Sequence, residues 1–117
     1  MNFQIKKTKF KEVLLGQIIS KEDERGYFER VYCLKEYRDL FNLKKNLVQI
    51  NRSMSKFKGT VRGCHFQYPP FSEIKIVSCL KGRIFDVAVD LRKGSETYLE
   101  YFSCELSSTN KKFLLIP

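Results

Sequence analysis

Residues Val61-Arg62-Gly63-Cys64-His65-Phe66-Gln67 gather side chains suited to proton transfer. They include the only histidine of the chain, His65, three residues after an arginine. Imidazole is the one side chain whose unperturbed proton affinity lies near neutral pH, which makes His65 a candidate general base. A lone histidine is more often a structural or surface residue, and what points to chemistry here is its company. Gln49, Asn51, Arg62, His65, Lys75 and Asp86 all fall on segments of alternating apolar and polar residues. Burying such groups without partners costs a few kcal/mol each, so a lined pocket accounts for them better than a dry core. Metal sites in small β-barrels use two or three imidazoles, and one histidine with no paired cysteines points to a metal-independent site.

The elements that must carry these residues are strands. Alternation or aromatic and β-branched enrichment predicts strands over 3–5, 10–19, 27–32, 47–52, 60–67, 74–80, 83–91, 98–106 and 113–116. Gly16 is expected to bend or bulge the second of these. Leu34, Tyr37, Leu40 and Phe41 recur at helical spacing and predict the one short helix, capping the end of a sheet. Alternation places Lys75 on one face with Val77 and Cys79, and Asp86 with Ile84 and Ala88. It also places Arg62 and His65 on opposite faces, and a bulge at Gly63 is predicted to turn both inward. Short strands at regular spacing, separated by turns such as Lys81-Gly82 and Arg92-Lys93-Gly94-Ser95, indicate a jelly-roll sandwich or barrel.

Composition sets the outer bounds. A chain of 117 residues reads as a single domain, residues 1–117, with 43% hydrophobic residues to fill a core. The net charge of +9 favours anionic partners. The lysines are spread along the chain without the basic stripes and interleaved aromatics of a nucleic-acid surface, so nucleic acid is not expected. No apolar run approaches membrane-spanning length and the N-terminus has no signal-peptide core, so a cytoplasmic protein with reduced thiols is expected and no membrane partner.

Five segments in register make a more specific statement. Asp23-Glu24-Arg25-Gly26-Tyr27-Phe28, Val48-Gln49-Ile50-Asn51-Arg52-Ser53, Val61-Arg62-Gly63-Cys64-His65-Phe66-Gln67, the run Phe85 to Ser95, and Glu105-Leu106-Ser107-Ser108-Thr109-Asn110-Lys111 follow one another in this order. From about residue 10 onward, the chain resembles the dTDP-4-dehydrorhamnose 3,5-epimerases of the cupin superfamily.

That resemblance implies an all-β, cupin-type jelly-roll (double-stranded β-helix) barrel with one short helix. It implies a metal-independent isomerase without cofactor, acting on a nucleotide-diphosphate 4-keto-6-deoxy sugar. Carbons 3 and 5 flank the ketone, so their protons become acidic once the ketone oxygen is stabilised as an enolate. By the match, His65 is the general base and Lys75 the cation near the keto oxygen. Arg62 and Arg25 are the arginines for the sugar nucleotide and its diphosphate. Phe28 helps hold the nucleoside, Gln49 and Asn51 are the polar pair on the substrate strand, and Asp86 is an acidic residue near the pocket. The resemblance also implies a homodimer formed by exchange of N-terminal strands, and a role in dTDP-rhamnose and polysaccharide biosynthesis.

The sequence departs from the pattern in three places. The family's glutamate two residues after the Phe28 position is Arg30 here, with Glu29 displaced by one, and a histidine before the serine of the 48–53 segment is Arg52. The family's acid tyrosine and the aspartate that pairs with the base histidine fall beyond Pro117. The expectation is therefore a barrel incomplete at its C-terminal end and a truncated member of weak or no activity. A non-catalytic sugar-nucleotide-binding or assembly domain is the alternative, together with a related 3-epimerase or ketoisomerase.

Overall fold

The computed structural model describes residues 1–117, which form two compact units: Met1–Val31 with Glu73–Pro117, and Tyr32–Ser72.

The first unit holds all the strands. β1 (Phe3–Lys7), β2 (Leu14–Ile18), β5 (Lys75–Ser78) and β8 (Lys112–Ile116) form an antiparallel sheet in the order β1-β2-β8-β5. Two hairpins complete it, β3 (Lys21–Asp23) with β4 (Gly26–Phe28), and β6 (Arg83–Val89) with β7 (Tyr101–Ser107). The register aligns Leu15, Leu114 and Val77 on one face of the sheet. On β6–β7 it aligns Ala88 with Phe102 and Ile84 with Leu106. Leu114, Ala88 and Leu106 form one buried cluster with Phe10 and Val13, closed at its margin by Leu15, Val77, Cys104 and Phe102. The inner faces of the sheet and of β6–β7 therefore share one apolar interior.

The other face of the sheet carries Phe3, Gly16, Phe113 and Leu115, all buried. Phe3 and Phe113 meet edge to face, with ring centroids 6.0 Å apart. Gly16 sits beneath the Phe113 ring, and a Cβ built there would lie 2.2 Å from its Cζ. The expected bend at Gly16 is thus corrected. β2 keeps its register through this residue on both edges, and the glycine makes room for a ring.

Two connections are held by side chains. After β6 the Asp90 carboxylate accepts hydrogen bonds from the Arg92 backbone N–H, Arg92 Nε and Nη2, Ser95 Oγ and Thr97 Oγ1, at 2.6–3.0 Å. Residues 98–100, expected in a strand, are consumed by turn bonds around this knot: Tyr98 N–H donates to Ser95 O, Leu99 N–H to Asp90 O and Glu100 N–H to Thr97 O. Between β7 and β8, Asn110 Oδ1 accepts from the Ser107 and Lys112 N–H groups.

In the second unit α1 spans Leu34–Phe41, the predicted helix. Tyr37, buried, lies 4.8 Å from the Tyr32 ring and 5.0 Å from Phe41. The helix ends at Asn42 in the left-handed conformation, φ 50°. Beyond it the predictions need correction. Segments 47–52 and 60–67 form no strand and take part in none of the three sheets. Val48 and Val61 are accordingly 90% and 88% exposed. With no ladder there is nothing for a bulge at Gly63 to interrupt; this glycine instead takes φ +104°. In the first unit the strand predicted over 27–32 is likewise shorter, since β4 stops at Phe28.

Candidate active site

Lys75 opens β5 opposite Ile116, and alternation along the strand puts it on the face of Val77, the face that meets the apolar interior. Its side chain is half-buried, and its Nζ lies 3.8 Å from Glu73 Oε1. That is too long for a hydrogen bond, so the ammonium is loosely paired and able to reach another oxygen.

Asp86 stands on the inward face of β6, opposite Cys104 and between Ile84 and Ala88. Burial raises its carboxyl above the ordinary range, only partly offset by the hydrogen bond from the Val87 backbone. Its Oδ2 is buried without a hydrogen-bond partner, an acceptor site that a ligand hydroxyl could fill. Lys75 and Asp86 therefore open onto the same interior, each from its own sheet.

Arg25 and Phe28 lie on the β3–β4 hairpin, Arg25 at the tip and Phe28 at the end of β4 opposite Lys21. Asp23 accepts from the Arg25 backbone N–H at 2.9 Å and from its Nη2 at 2.6 Å, with longer bonds from Nε. This clip holds the Asp23 carboxyl below its ordinary value and raises Arg25 above its own. The Arg25 side chain is 85% exposed, so the clip orients the guanidinium without covering it.

The remaining candidates belong to the second unit. Gln49, Asn51, Arg62 and His65 are all exposed. Arg62 donates from Nε to Ser55 Oγ and from Nη2 to Met54 O, both at 2.9 Å, which ties its guanidinium to the 53–59 loop. The His65 ring turns back over Gly63, its Nδ1 3.3 Å from where a Cβ on that residue would stand. The structure thus places Lys75 and Asp86 on inward faces of the first unit and Arg25 and Phe28 on one of its hairpins, while Gln49, Asn51, Arg62 and His65 lie in the second unit.

No three His, Cys, Asp or Glu side chains gather into a set that could ligate a metal, and Cys33, Cys64, Cys79 and Cys104 form no disulfide. No helix is long and apolar enough to cross a membrane.

Four further residues support the candidates, and of these the sequence drew attention only to Glu29, as a displaced glutamate. Asp23 clips Arg25, and its spacing two residues before the arginine is a readable turn signal. Ser20, Glu29 and Lys111 make a polar cluster at the base of the same hairpin. No local signal marks that cluster, because Lys111 and Ser20 are 91 residues apart in sequence.

Residues 7–117 match the family described as dTDP-4-dehydrorhamnose 3,5-epimerase. A curated dTDP-4-dehydrorhamnose 3,5-epimerase of Sinorhizobium fredii is 49% identical over 96 residues, covering 81% of this chain and 48% of that protein. The crystal structure of the Elizabethkingia anophelis dTDP-4-dehydrorhamnose 3,5-epimerase superposes with a TM-score of 0.91 at 40% identity, over 100% of this chain and 63% of that one. The Legionella pneumophila dTDP-6-deoxy-D-glucose-3,5-epimerase, in complex with dTDP-4-keto-L-rhamnose, gives 0.92 at 37% identity, over 98% and 60%. At this likeness the fold is that of the cupin epimerases, mostly β with one short helix. The chain spans about half to two-thirds of the length of these relatives.

Proposed function

Because the chain belongs to the dTDP-4-dehydrorhamnose 3,5-epimerase family, we propose that residues 1–117 work as a cupin-like domain that binds a dTDP-4-keto-6-deoxy sugar and epimerises it beside the ketone. The observation that carries this reading is Lys75, an ammonium held on an apolar inner face with only a loose contact to Glu73. A cation so placed is worth most where negative charge develops out of bulk water, as on an enolate oxygen.

In this reading His65 Nε2 or Nδ1 takes the proton from C3 or C5, and the electron pair moves onto the C4 oxygen, where Lys75 Nζ stabilises it. A proton from water returns to the opposite face and inverts the centre, and His65 gives the proton it took up to solvent. Arg62 and Arg25 bind the diphosphate, Phe28 packs on the nucleoside, and Gln49 and Asn51 bond the sugar. The free Asp86 Oδ2 accepts a hydrogen bond from a substrate hydroxyl. The ligand named for the Legionella relative fits this assignment in kind. The four unbridged cysteines suit a cytoplasmic setting. The hairpin β3–β4, exposed along every residue with Tyr27 at 65% and Phe28 at 63%, suits a homodimer in which a second copy covers it.

The test is exchange of solvent deuterium into a dTDP-4-keto-6-deoxy sugar by the full chain. His65→Ala should lower exchange by roughly 10²–10⁴-fold, and Lys75→Met by roughly 10²–10³-fold. Exchange that survives intact in His65→Ala rules out His65 as the base. Deuterium at C3 alone would select a 3-epimerase, and a product with the carbonyl moved to C3 a ketoisomerase.

One observation favours a second reading, a sugar-nucleotide-binding or assembly domain. His65 is exposed and stands on irregular backbone in the second unit. Tight binding of the nucleotide sugar with no exchange at any position selects that reading.

A further inference from the structure

The β3–β4 hairpin is exposed on both faces, yet its base is fixed. Ser20 immediately precedes β3 and Glu29 immediately follows β4. Ser20 Oγ donates to Glu29 Oε1, closing the two ends of the hairpin on each other. The Lys111 ammonium donates to the same Ser20 Oγ and forms an ion pair with the same Glu29 oxygen. It also lies 4.1 Å from the centroid of the Tyr27 ring, within β4, a cation–π contact. One ammonium thus touches the residue before the hairpin, the residue after it and a ring inside it.

Lys111 is itself held by backbone. It takes φ 55°, a conformation uncommon outside glycine, Asn and Asp. Its N–H donates to Ser107 O at 3.1 Å, and its carbonyl accepts from Ile18 N–H at 3.0 Å. Those bonds attach it to the ends of β7 and β2. The side chains of the Lys111–Glu29 pair are only 21% and 16% exposed. Water screens such a pair less than a surface one, which makes it a better candidate for a fixed geometry.

We infer that Lys111 is a positioning residue that sets the pose of the β3–β4 hairpin against the sheet, and through it the placement of Arg25 on the ligand diphosphate. The second half of this statement rests on the function proposed above; the first half stands on the contacts alone. Glu29, one place removed from the family's usual glutamate, serves the latch in this chain.

The experiment uses the full chain and thymidine diphosphate as probe, with backbone amide hydrogen exchange and calorimetric binding as readouts. Lys111→Met keeps the stem and removes the charge; Glu29→Gln tests the pair from its other side. Both should speed amide exchange in residues 21–28 while leaving β5–β8 unchanged, and Lys111→Arg should restore protection. Lys111→Met should also weaken thymidine diphosphate about tenfold, and that loss should vanish in the Arg25→Ala background, since the latch acts through the hairpin tip. Unchanged exchange in residues 21–28 overturns the latch. A full-sized loss of binding in the Arg25→Ala background overturns the route through Arg25 and makes Lys111 a direct ligand contact. If Arg25→Ala binds the probe as tightly as the parent, it is the site reading that fails, and hydrogen exchange still decides the latch.

Discussion

Asp86 and Cys104 face each other across the β6–β7 ladder on its buried side, and one oxygen of the Asp86 carboxylate is sealed there without a partner. Burial raises the Asp86 carboxyl; burial first and the neighbouring Asp86 second raise the Cys104 thiol. Such a carboxylate is a cost to the fold that a ligand hydroxyl would offset.

Asp86→Asn should therefore stabilise the free protein at neutral pH by about 1–2 kcal/mol, the usual penalty of an unpaired buried group, while weakening substrate binding. The sign follows from linkage. A folded-state carboxyl raised above its unfolded value means that stability declines as pH rises through the ordinary carboxylate range toward the raised value. Urea unfolding between pH 3 and 7 should show that decline in the parent and a flatter profile in Asp86→Asn. Identical profiles would mean that the carboxylate is satisfied in solution.

Asp90 behaves in the opposite way. Arg92 first, then Thr97 and Ser95, hold its carboxyl far below the ordinary range. Its contribution to stability is present above the unfolded carboxylate value and is lost only as pH falls into strong acid. Asp90→Ala leaves the Arg92, Ser95 and Thr97 donors without their acceptor and should cost about 3 kcal/mol. Thermal unfolding at neutral pH measures this, and a Tm change under a degree would contradict it.

Gly16→Ala should cost about 1–3 kcal/mol by overpacking, since the new methyl group would overlap the Phe113 ring. Shortening the ring partner with Phe113→Leu in the same molecule should recover part of the loss. Independent, additive losses in the double variant would show that the two residues do not meet.

Asp23→Ala frees the Arg25 guanidinium from its clip. Thymidine diphosphate binding should weaken about fivefold, the size of one side chain's ordering entropy, with Tm unchanged because both residues are at the surface. Equal binding would mean that Arg25 does not need to be pre-ordered.

Much of the local structure was legible in the residues. Helical spacing of Leu34, Tyr37 and Phe41 marked α1 to its ends. Alternation marked β5, β6 and β8, and with them the inward placement of Lys75 and Asp86, because side-chain direction along a strand depends only on its period. What alternation cannot say is whether another strand lies alongside. Segments 47–52 and 60–67 have the pattern of strands but pair in no sheet, and Gln49, Asn51, Arg62 and His65 stand on irregular backbone. Gly16 looked like a bend and is a seat for Phe113, and Lys111, one of many lysines spread along the chain, holds the base of a hairpin. Residue type and period determine which groups an element offers, since both act within a few residues; which distant group meets them is set by loop closure and packing, and that information exists only once the chain has folded.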